Sequence, residues 1–319
     1  MPRIAVAEGD GIGKEVVPVA VRVISTVRPD LEFFPVEVGY GRWERTGEAI
    51  TMEDIRALKE ADAILFGAVT TPPDPDYRSV VVRMRKALDL YANVRPVKGG
   101  EADLVIVREN TEGLYAGIEQ IAPDRATSLR VITRSGSERI ARFACDLARE
   151  RRHLTVGHKA NVLKADTLFR DVCLGVAKET GVPVREKFID ALCLDVLMHP
   201  RDYDVIVTEN MFGDILSDVA AYLVGGLGML PSGNIGDGHA LFEPVHGSAP
   251  KHAGKDTANP VAAVRSAAML LDYLGDRESA ARIEKAIGRV LASGVKTRDL
   301  GGSAGTREMG DAITGALRQ

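Results

Sequence analysis

What most constrains this chain is an alternation that runs through it: short apolar runs of strand length, each followed by a turn and then an amphipathic stretch of helical length. Ile4 to Ala7 reads as a buried strand, Gly9-Asp10-Gly11-Ile12-Gly13 as the turn after it, and about Lys14 to Val27 as an amphipathic helix. A strand around Phe33 to Val38, a helix from about Met52 to Ala61 and a strand at Ala63 to Gly67 continue the pattern. Strands separated by helices cannot pair as hairpins, so the expectation is an α/β fold with a mostly parallel sheet flanked by helices. The first turn invites a dinucleotide-binding reading, but its spacing is G-x-G-x-G and lacks the third glycine of that fingerprint. The prolines of Thr70-Thr71-Pro72-Pro73-Asp74-Pro75-Asp76 exclude a helix and predict a shaped loop at a strand end, where open α/β sheets place ligands.

With 319 residues, 45% of them hydrophobic and 27% charged, the chain is long enough for two domains, each with a core. A formal charge of −4 gives no general attraction to nucleic acid or anionic membranes. Cys145, Cys173 and Cys193 are odd in number and lack metal-finger spacing, so they read as reduced thiols in a cytoplasmic protein. Glu8 and Asp10 interrupt any leader-like apolar run, and no apolar stretch is long enough to span a bilayer.

The chemistry concentrates later. Met211-Phe212-Gly213-Asp214-Ile215-Leu216-Ser217-Asp218 follows the strand-like Val205 to Thr208 and places Asp214 and Asp218 four residues apart on one helical face. Ile215, Leu216, Val219 and Leu223 have the spacing to pack behind them. Hard cations such as Mg²⁺ and Mn²⁺ take carboxylate oxygens, so the pair is a candidate metal seat; taken alone, it is more often the pattern of two solvated acids on an exposed helix. Arg85, Arg95 and Arg108 fall at element ends, with Tyr115 just beyond, and arginine forks suit bidentate binding of carboxylates. Arg95-Pro96 is expected to end an element and mark the crossing into a second domain. A strand at Leu104 to Val107, another over 128–134, and helices over 135–151, up to about Thr180, over 260–274 and over 278–292 complete the pattern. Arg149-Glu150-Arg151-Arg152 reads as a solvated last helical turn.

Asp-Leu-Tyr-Ala-Asn-Val-Arg-Pro (89–96), Arg-Glu-Asn-Thr-Glu-Gly-Leu-Tyr (108–115), His-Lys-Ala-Asn-Val-Leu (158–163), Asn-Met-Phe-Gly-Asp-Ile-Leu-Ser-Asp (210–218) and Glu-Pro-Val-His-Gly-Ser-Ala-Pro (243–250) occur in this order. With them the chain resembles, over essentially its whole length, the β-decarboxylating dehydrogenases, the family of isocitrate, 3-isopropylmalate and homoisocitrate dehydrogenases, in a short archaeal-type form. The resemblance implies a two-domain fold without a Rossmann dinucleotide site. Residues 1–90 and 225–319 would form the larger, cofactor-binding domain, and 91–224 a smaller one with the dimer interface and the metal and catalytic residues. It implies that Arg85, Arg95 and Arg108 hold the carboxylates of the malate part of the substrate, and that Ser79 touches its outer substituent. Tyr115 and Lys159 would be the acid–base pair, Lys159 needing a depressed pKa to serve as base. Asp190, Asp214 and Asp218 would surround Mg²⁺ or Mn²⁺. Lys159 and Asp190 are expected to reach the site from the other subunit of a homodimer, or of a tetramer. Thr71, Glu243, His246, Gly247, Ser248, Ala249 and Asn259 would hold the nicotinamide cofactor.

Family members that use NAD usually carry an acid just after Ser-Ala-Pro and a proline in the late motif; this chain has Lys251-His252 and Arg298. Bases attract a 2′-phosphate, so NADP is expected over NAD. Ser79 and the NADP preference point to isocitrate, oxidised to 2-oxoglutarate. Val81 and Val82, and the overall wording of the motifs, suit 3-isopropylmalate or homoisocitrate. A catalytically silent regulatory subunit should have lost Lys159, Tyr115 or a metal aspartate, and all are present. No nucleic-acid or membrane partner is expected.

Overall fold

The computed structural model describes residues 1–74 and 77–318; Pro75 and Asp76 of the proline-rich loop fall outside the described residues. It is a mixed α/β structure in which the chain forms two compact units. The first unit comprises Met1–Leu88, Gly225–Gly233 and the segment from Asp237 onward; the second comprises Asp89–Val224 and Asn234–Gly236.

The first unit opens with β1 (Arg3–Gly9), α1 (Gly13–Val27), β2 (Glu32–Pro35), α2 (Tyr40–Thr46), α3 (Met52–Lys59), β3 (Ala63–Ala68) and α4 (Val80–Ala87). Strand β3 is buried at every position, as expected for a strand covered on both faces. It pairs in parallel with β1, which pairs in parallel with β2. Helix α3 starts from a capping box in which Thr51 and Asp54 satisfy each other's backbone N–H groups. The strand expected over Phe33 to Val38 is shorter and ends at Pro35, although the Val36 N–H still donates to Val6 of β1 at 2.9 Å.

The second unit contains β4 (Ala92–Gly99), β5 (Ala102–Glu109), β6 (Gly113–Ala122), β7 (Arg125–Val131), α5 (Arg134–Arg149), β8 (Leu154–His158), α6 (Ala165–Thr180), β9 (Val184–Phe188), α7 (Ile189–Met198), β10 (Val205–Thr208) and α8 (Asn210–Ala221). Its sheet runs β4-β5-β10-β8-β9, antiparallel between β4 and β5 and parallel thereafter. Helices α5 and α6 close one face of this sheet around Ile140, Ala144, Phe169, Val172, Val156 and Val207. Here the sequence expectation needs correction. Arg95-Pro96 does not end an element but lies within β4, opposite Ile106 and Val105. The strand expected over 128–134 is the second half of a hairpin, β6–β7, whose first half was not foreseen because both of its faces are largely exposed. Helix α5 ends at Arg149, and Arg149, Glu150 and Arg152 are exposed as expected of a solvated turn; Arg151 departs from that reading, being half-buried and paired with the buried Asp204, which Arg152 also approaches.

The chain then enters β11 (Pro231–Ile235), and continues through β12 (Ala240–Pro244), α9 (Val261–Tyr273), α10 (Arg277–Ala292) and α11 (Thr306–Leu317). Strand β12 adds to β3 in parallel, and α1, α9, α10 and α11 pack together within the first unit. No helix among the described residues is long and apolar enough to cross a membrane. All three cysteines are free thiols, Cys145 and Cys173 buried.

Candidate active site

In the second unit, strand geometry aims the site. Side chains two apart on a strand share a face, and so do residues directly opposite across a ladder. Asn93 and Arg95 therefore share a face of β4, and Arg108, opposite Asn93, joins them from β5. Helix α8 begins straight after β10, with Glu209 as its N-cap accepting from the Phe212 N–H at 2.9 Å. It lies so close to β5 that a Cβ on Gly213 would sit 2.6 Å from Cβ and Cγ of Arg108. Only glycine lets the helix and the arginine strand meet there.

Asp214 gathers the cluster. Its Oδ1 accepts from Nη1 of Arg108 and, at 3.2 Å, from Nη1 of Arg95, while Oδ2 accepts from the Tyr115 hydroxyl at 2.7 Å. Asn210 Oδ1 takes Nε and Nη2 of Arg108 at 3.1 and 2.8 Å, and Asn93 Oδ1 takes Nε of Arg95 at 2.6 Å. Ser217 Oγ accepts from Arg95 at 2.5 Å. Asn93 is itself oriented by Asn234 Oδ1, which also receives Nδ2 of Asn110. Both arginine side chains are buried, at 6% and 2% exposure, where an unpaired guanidinium would be costly. The Arg108 guanidinium also stacks over the Tyr115 ring, 5.1 Å from its centre. Asn93, Asn210, Ser217 and Asn234 were not singled out from sequence; an asparagine two residues before an arginine on a strand was the available signal.

Burial and the hydrogen bond to Asp214 push the Tyr115 phenol up, so it stays protonated at neutral pH. Desolvation and the charge of Asp214 raise Asp218 above the ordinary carboxylate range, against the lowering pull of Arg95 and Arg108. Two carboxylates one helical turn apart form a donor set that suits a divalent oxygen-seeking cation. The packing expected behind them is partly different: Leu216 is buried with Phe212, Ser217 and Ala220, but Ile215 is 51% exposed.

Asp190 is not part of this pair. It lies in the first turn of α7, where its carboxylate accepts from Nζ of Lys159 at 2.6 Å, and this partner holds it below the usual carboxylate range. Among the described residues, no group of three or more His, Cys, Asp and Glu side chains is arranged to hold a metal, so one chain offers two of the three expected aspartates together. Lys159 follows β8 and its backbone N–H donates to Asp166 at 2.6 Å. The preceding His158 is buried, accepts from the Ala160 N–H at Nδ1 and faces Glu186 through Nε2, to which the ring proton is assigned. Burial lowers its pKa, which favours this neutral form.

In the first unit, Arg85 on α4 is buried and reaches Glu243 of β12 at 3.2 Å, leaving its Nε without a hydrogen-bond partner. That free donor suits a ligand carboxylate. Ser79 is the half-buried N-cap of α4, Val80 is buried, and Val81 and Val82 are half-buried. The Gly9-to-Gly13 turn is stapled to the loop carrying Ser248. Ile12 N–H donates to the Ser248 carbonyl at 2.8 Å, and a Cβ on Gly11, at φ +56°, would come within 2.0 Å of that oxygen. Asp10 accepts from the N–H groups of Tyr40, Gly41 and Thr70, and Thr70 Oγ1 meets Ser248 Oγ at 2.8 Å. His246 has Nδ1 near the Gly247 carbonyl at 3.0 Å, a buried Nε2 without a partner, and a pKa lowered by burial. Ala249 adopts φ +37°. Asn259 spans from Asp299 at 3.0 Å to the Val261 N–H at 3.0 Å, so its side chain braces the late motif. Thr71, Lys251, His252 and Arg298 are exposed, and among the described residues the last three form no ion pair.

Comparison with known proteins fixes the family. The model of the isocitrate/isopropylmalate dehydrogenases matches residues 3–313. This chain belongs to that family. It is 48% identical, over an alignment of 337 positions covering 100% of both chains, to the 3-isopropylmalate/3-methylmalate dehydrogenase of Methanocaldococcus jannaschii. It is 49% identical to the isocitrate/homoisocitrate dehydrogenase of Thermus thermophilus, with 99% of this chain and 98% of that one covered. Among solved structures, isocitrate dehydrogenase from Methylococcus capsulatus superposes with a TM-score of 0.96 at 42% identity, covering 100% of both chains. The chain is therefore an oxidoreductase of the β-decarboxylating type. The family generally uses NAD(P) and a divalent metal, binds hydroxy acids and is generally homodimeric.

Proposed function

We propose that this chain oxidatively decarboxylates isocitrate to 2-oxoglutarate with NADP and Mg²⁺ or Mn²⁺, as a homodimer with shared active sites. The observation that carries the reading is the convergence of Arg95, Arg108 and Tyr115 on Asp214, one turn before Asp218. A bound nicotinamide would supply hydride acceptance, and a bound divalent ion would supply Lewis-acid stabilisation of the negative charge left on loss of carbon dioxide. Arg95 and Arg108, with Arg85, bind the substrate carboxylates and fix its orientation. Lys159 Nζ takes the hydroxyl proton, and the Tyr115 hydroxyl, kept protonated by its surroundings, delivers a proton to the carbon that lost its carboxylate. Asp214 and Asp218 would hold the ion together with Asp190 of a second copy of the chain, whose Lys159, paired with that Asp190, would be the base.

A second copy is supported by the apolar side chains that the second unit leaves exposed. Leu194 and Met198 on α7 and Ile215 on the adjoining α8 are each more than half exposed, as are Ile118, Ile121 and Leu129 on the β6–β7 hairpin. NADP is favoured by the exposed, unpaired Lys251, His252 and Arg298, and His246, Gly247, Ser248, Ala249, Asn259, Thr71 and Glu243 would contribute to the cofactor site of the first unit. A second reading, 3-isopropylmalate, is favoured by the apolar start of α4 at Val80, Val81 and Val82.

Absorbance at 340 nm with Mg²⁺ tests the proposal, taking isocitrate, 3-isopropylmalate and homoisocitrate each with NADP and NAD. The highest kcat/KM is expected for isocitrate with NADP; a higher value for another acid, or for NAD, replaces that part of the reading.

A further inference from the structure

Arg130, Asp166 and Glu209 form a charged knot in the second unit that the chemistry above does not use. Arg130 stands in β7 near the base of the hairpin. Its Nη1 donates to Asp166 Oδ1, its Nη2 lies 3.4 Å from Glu209 Oε1, and its guanidinium stacks 5.1 Å from the centre of the Phe212 ring. The two carboxylates are almost completely enclosed, at 1% and 2% side-chain exposure. Each holds the start of a segment that carries a reacting group. The second oxygen of Asp166 accepts the backbone N–H of Lys159 itself. Glu209 caps α8, the helix of Asp214 and Asp218, through the Phe212 N–H.

We propose that Arg130 is a positioning residue that locks the backbone of Lys159 to the first turn of the metal-binding helix. Two enclosed carboxylates sharing one neighbourhood repel, and a single planar guanidinium can bridge them where an ammonium, a point charge, cannot span both. The Phe212 face covers the guanidinium, whose Nη1 makes the hydrogen bond to Asp166 while Nη2 faces Glu209 as an ion pair without a hydrogen bond, so the bridge is directional at Asp166 and electrostatic at Glu209. The roles given to Lys159, Asp214 and Asp218 rest on the dehydrogenase reading; the clamp itself rests only on the contacts. Misplacement of a reacting group by about 1 Å costs on the order of 10²-fold in rate, which sets the scale of the effect.

The test compares wild type, Arg130→Met and Arg130→Lys as full chains, by steady-state kinetics and by backbone amide exchange. Arg130→Met is expected to lose about 10²-fold in kcat with KM for the hydroxy acid changed by less than about threefold. Amides in the Lys159–Leu163 segment and in the first turn of α8 should both exchange at least about tenfold faster, because both lose their anchor. Arg130→Lys should recover part of kcat and protect one of the two segments better than the other. An Arg130→Met enzyme with kcat within about twofold of wild type, or with faster exchange confined to the hairpin, would overturn the proposal. If Arg130→Met does not fold, Arg130→Lys decides: unchanged exchange and kcat reject the clamp, and loss at either segment with reduced kcat supports it. Should wild type turn over none of the three acids, the dehydrogenase reading falls, while exchange at the two segments still judges the clamp.

Discussion

The β4–β5–α8 cluster of the second unit and the exposed basic positions of the first unit are built on opposite terms. Arg95 and Arg108 are enclosed, and their nitrogens are met by Asn93, Asn210, Asp214 and Ser217. Lys251, His252 and Arg298 stand in solvent on short turns. A buried polar network is tolerated only when its members satisfy one another, so replacing one member disturbs all of them. An exposed side chain can be exchanged at little cost in stability. In the proposed function the buried set carries the chemistry and the exposed set the choice of cofactor.

The largest effect should come from the buried side. Tyr115→Phe keeps the ring under Arg108 and removes the hydroxyl, and with it the transferable proton and the hydrogen bond to Asp214; kcat is expected to fall by about 10²- to 10⁴-fold, with KM little changed, in the 340 nm assay. Next, exchanging the exposed set should alter selectivity without touching the fold. Lys251→Asp with Arg298→Pro is expected to move the ratio of NADP to NAD efficiency by about 10- to 100-fold while thermal stability holds. An unchanged ratio would remove these residues from cofactor selection. Gly213→Ala probes the closeness of helix and arginine strand. Its methyl must displace the Arg108 stem, so a loss of about 1–3 kcal/mol by urea denaturation is expected, together with a raised KM.

The smallest effect concerns Asp218 and pH. Its pKa in the folded chain is raised, so the folded state binds more protons than the unfolded one between the ordinary and the raised value. Metal-free protein should therefore lose stability as pH rises through that window and regain it as pH falls. Asp218→Asn should flatten this slope in pH-dependent melting, and Mn²⁺ should flatten it in wild type but not in the variant.

The same contrast governs how much was legible in the residues alone. Elements with one covered face, such as α1 and α5, or two, such as β3, declare themselves by periodicity. The β6–β7 hairpin does not, because beyond its base neither face is covered within the chain and nothing forces its residues to alternate. Pro96 looked like a terminus because proline removes a ladder donor, yet β4 accommodates it opposite Val105. Arginines 95 and 108 could be singled out in advance because guanidinium groups at element ends are the chemistry expected of carboxylate recognition. The asparagines that aim them could not, since asparagine is equally at home in turns. Asp204 likewise gave no sign that it would gather Arg151 and Arg152, a pairing between residues about fifty positions apart in the chain.

Direct Mn²⁺ titration by electron paramagnetic resonance, in the presence of the hydroxy acid that is turned over, addresses the heart of the account. Wild type should bind one ion per active site, and Asp214→Asn and Asp218→Asn should each weaken that binding by about 10²-fold or more. Mn²⁺ binding equal to wild type in both variants would contradict a metal seat on α8, and with it the assignment of the chemistry to this cluster.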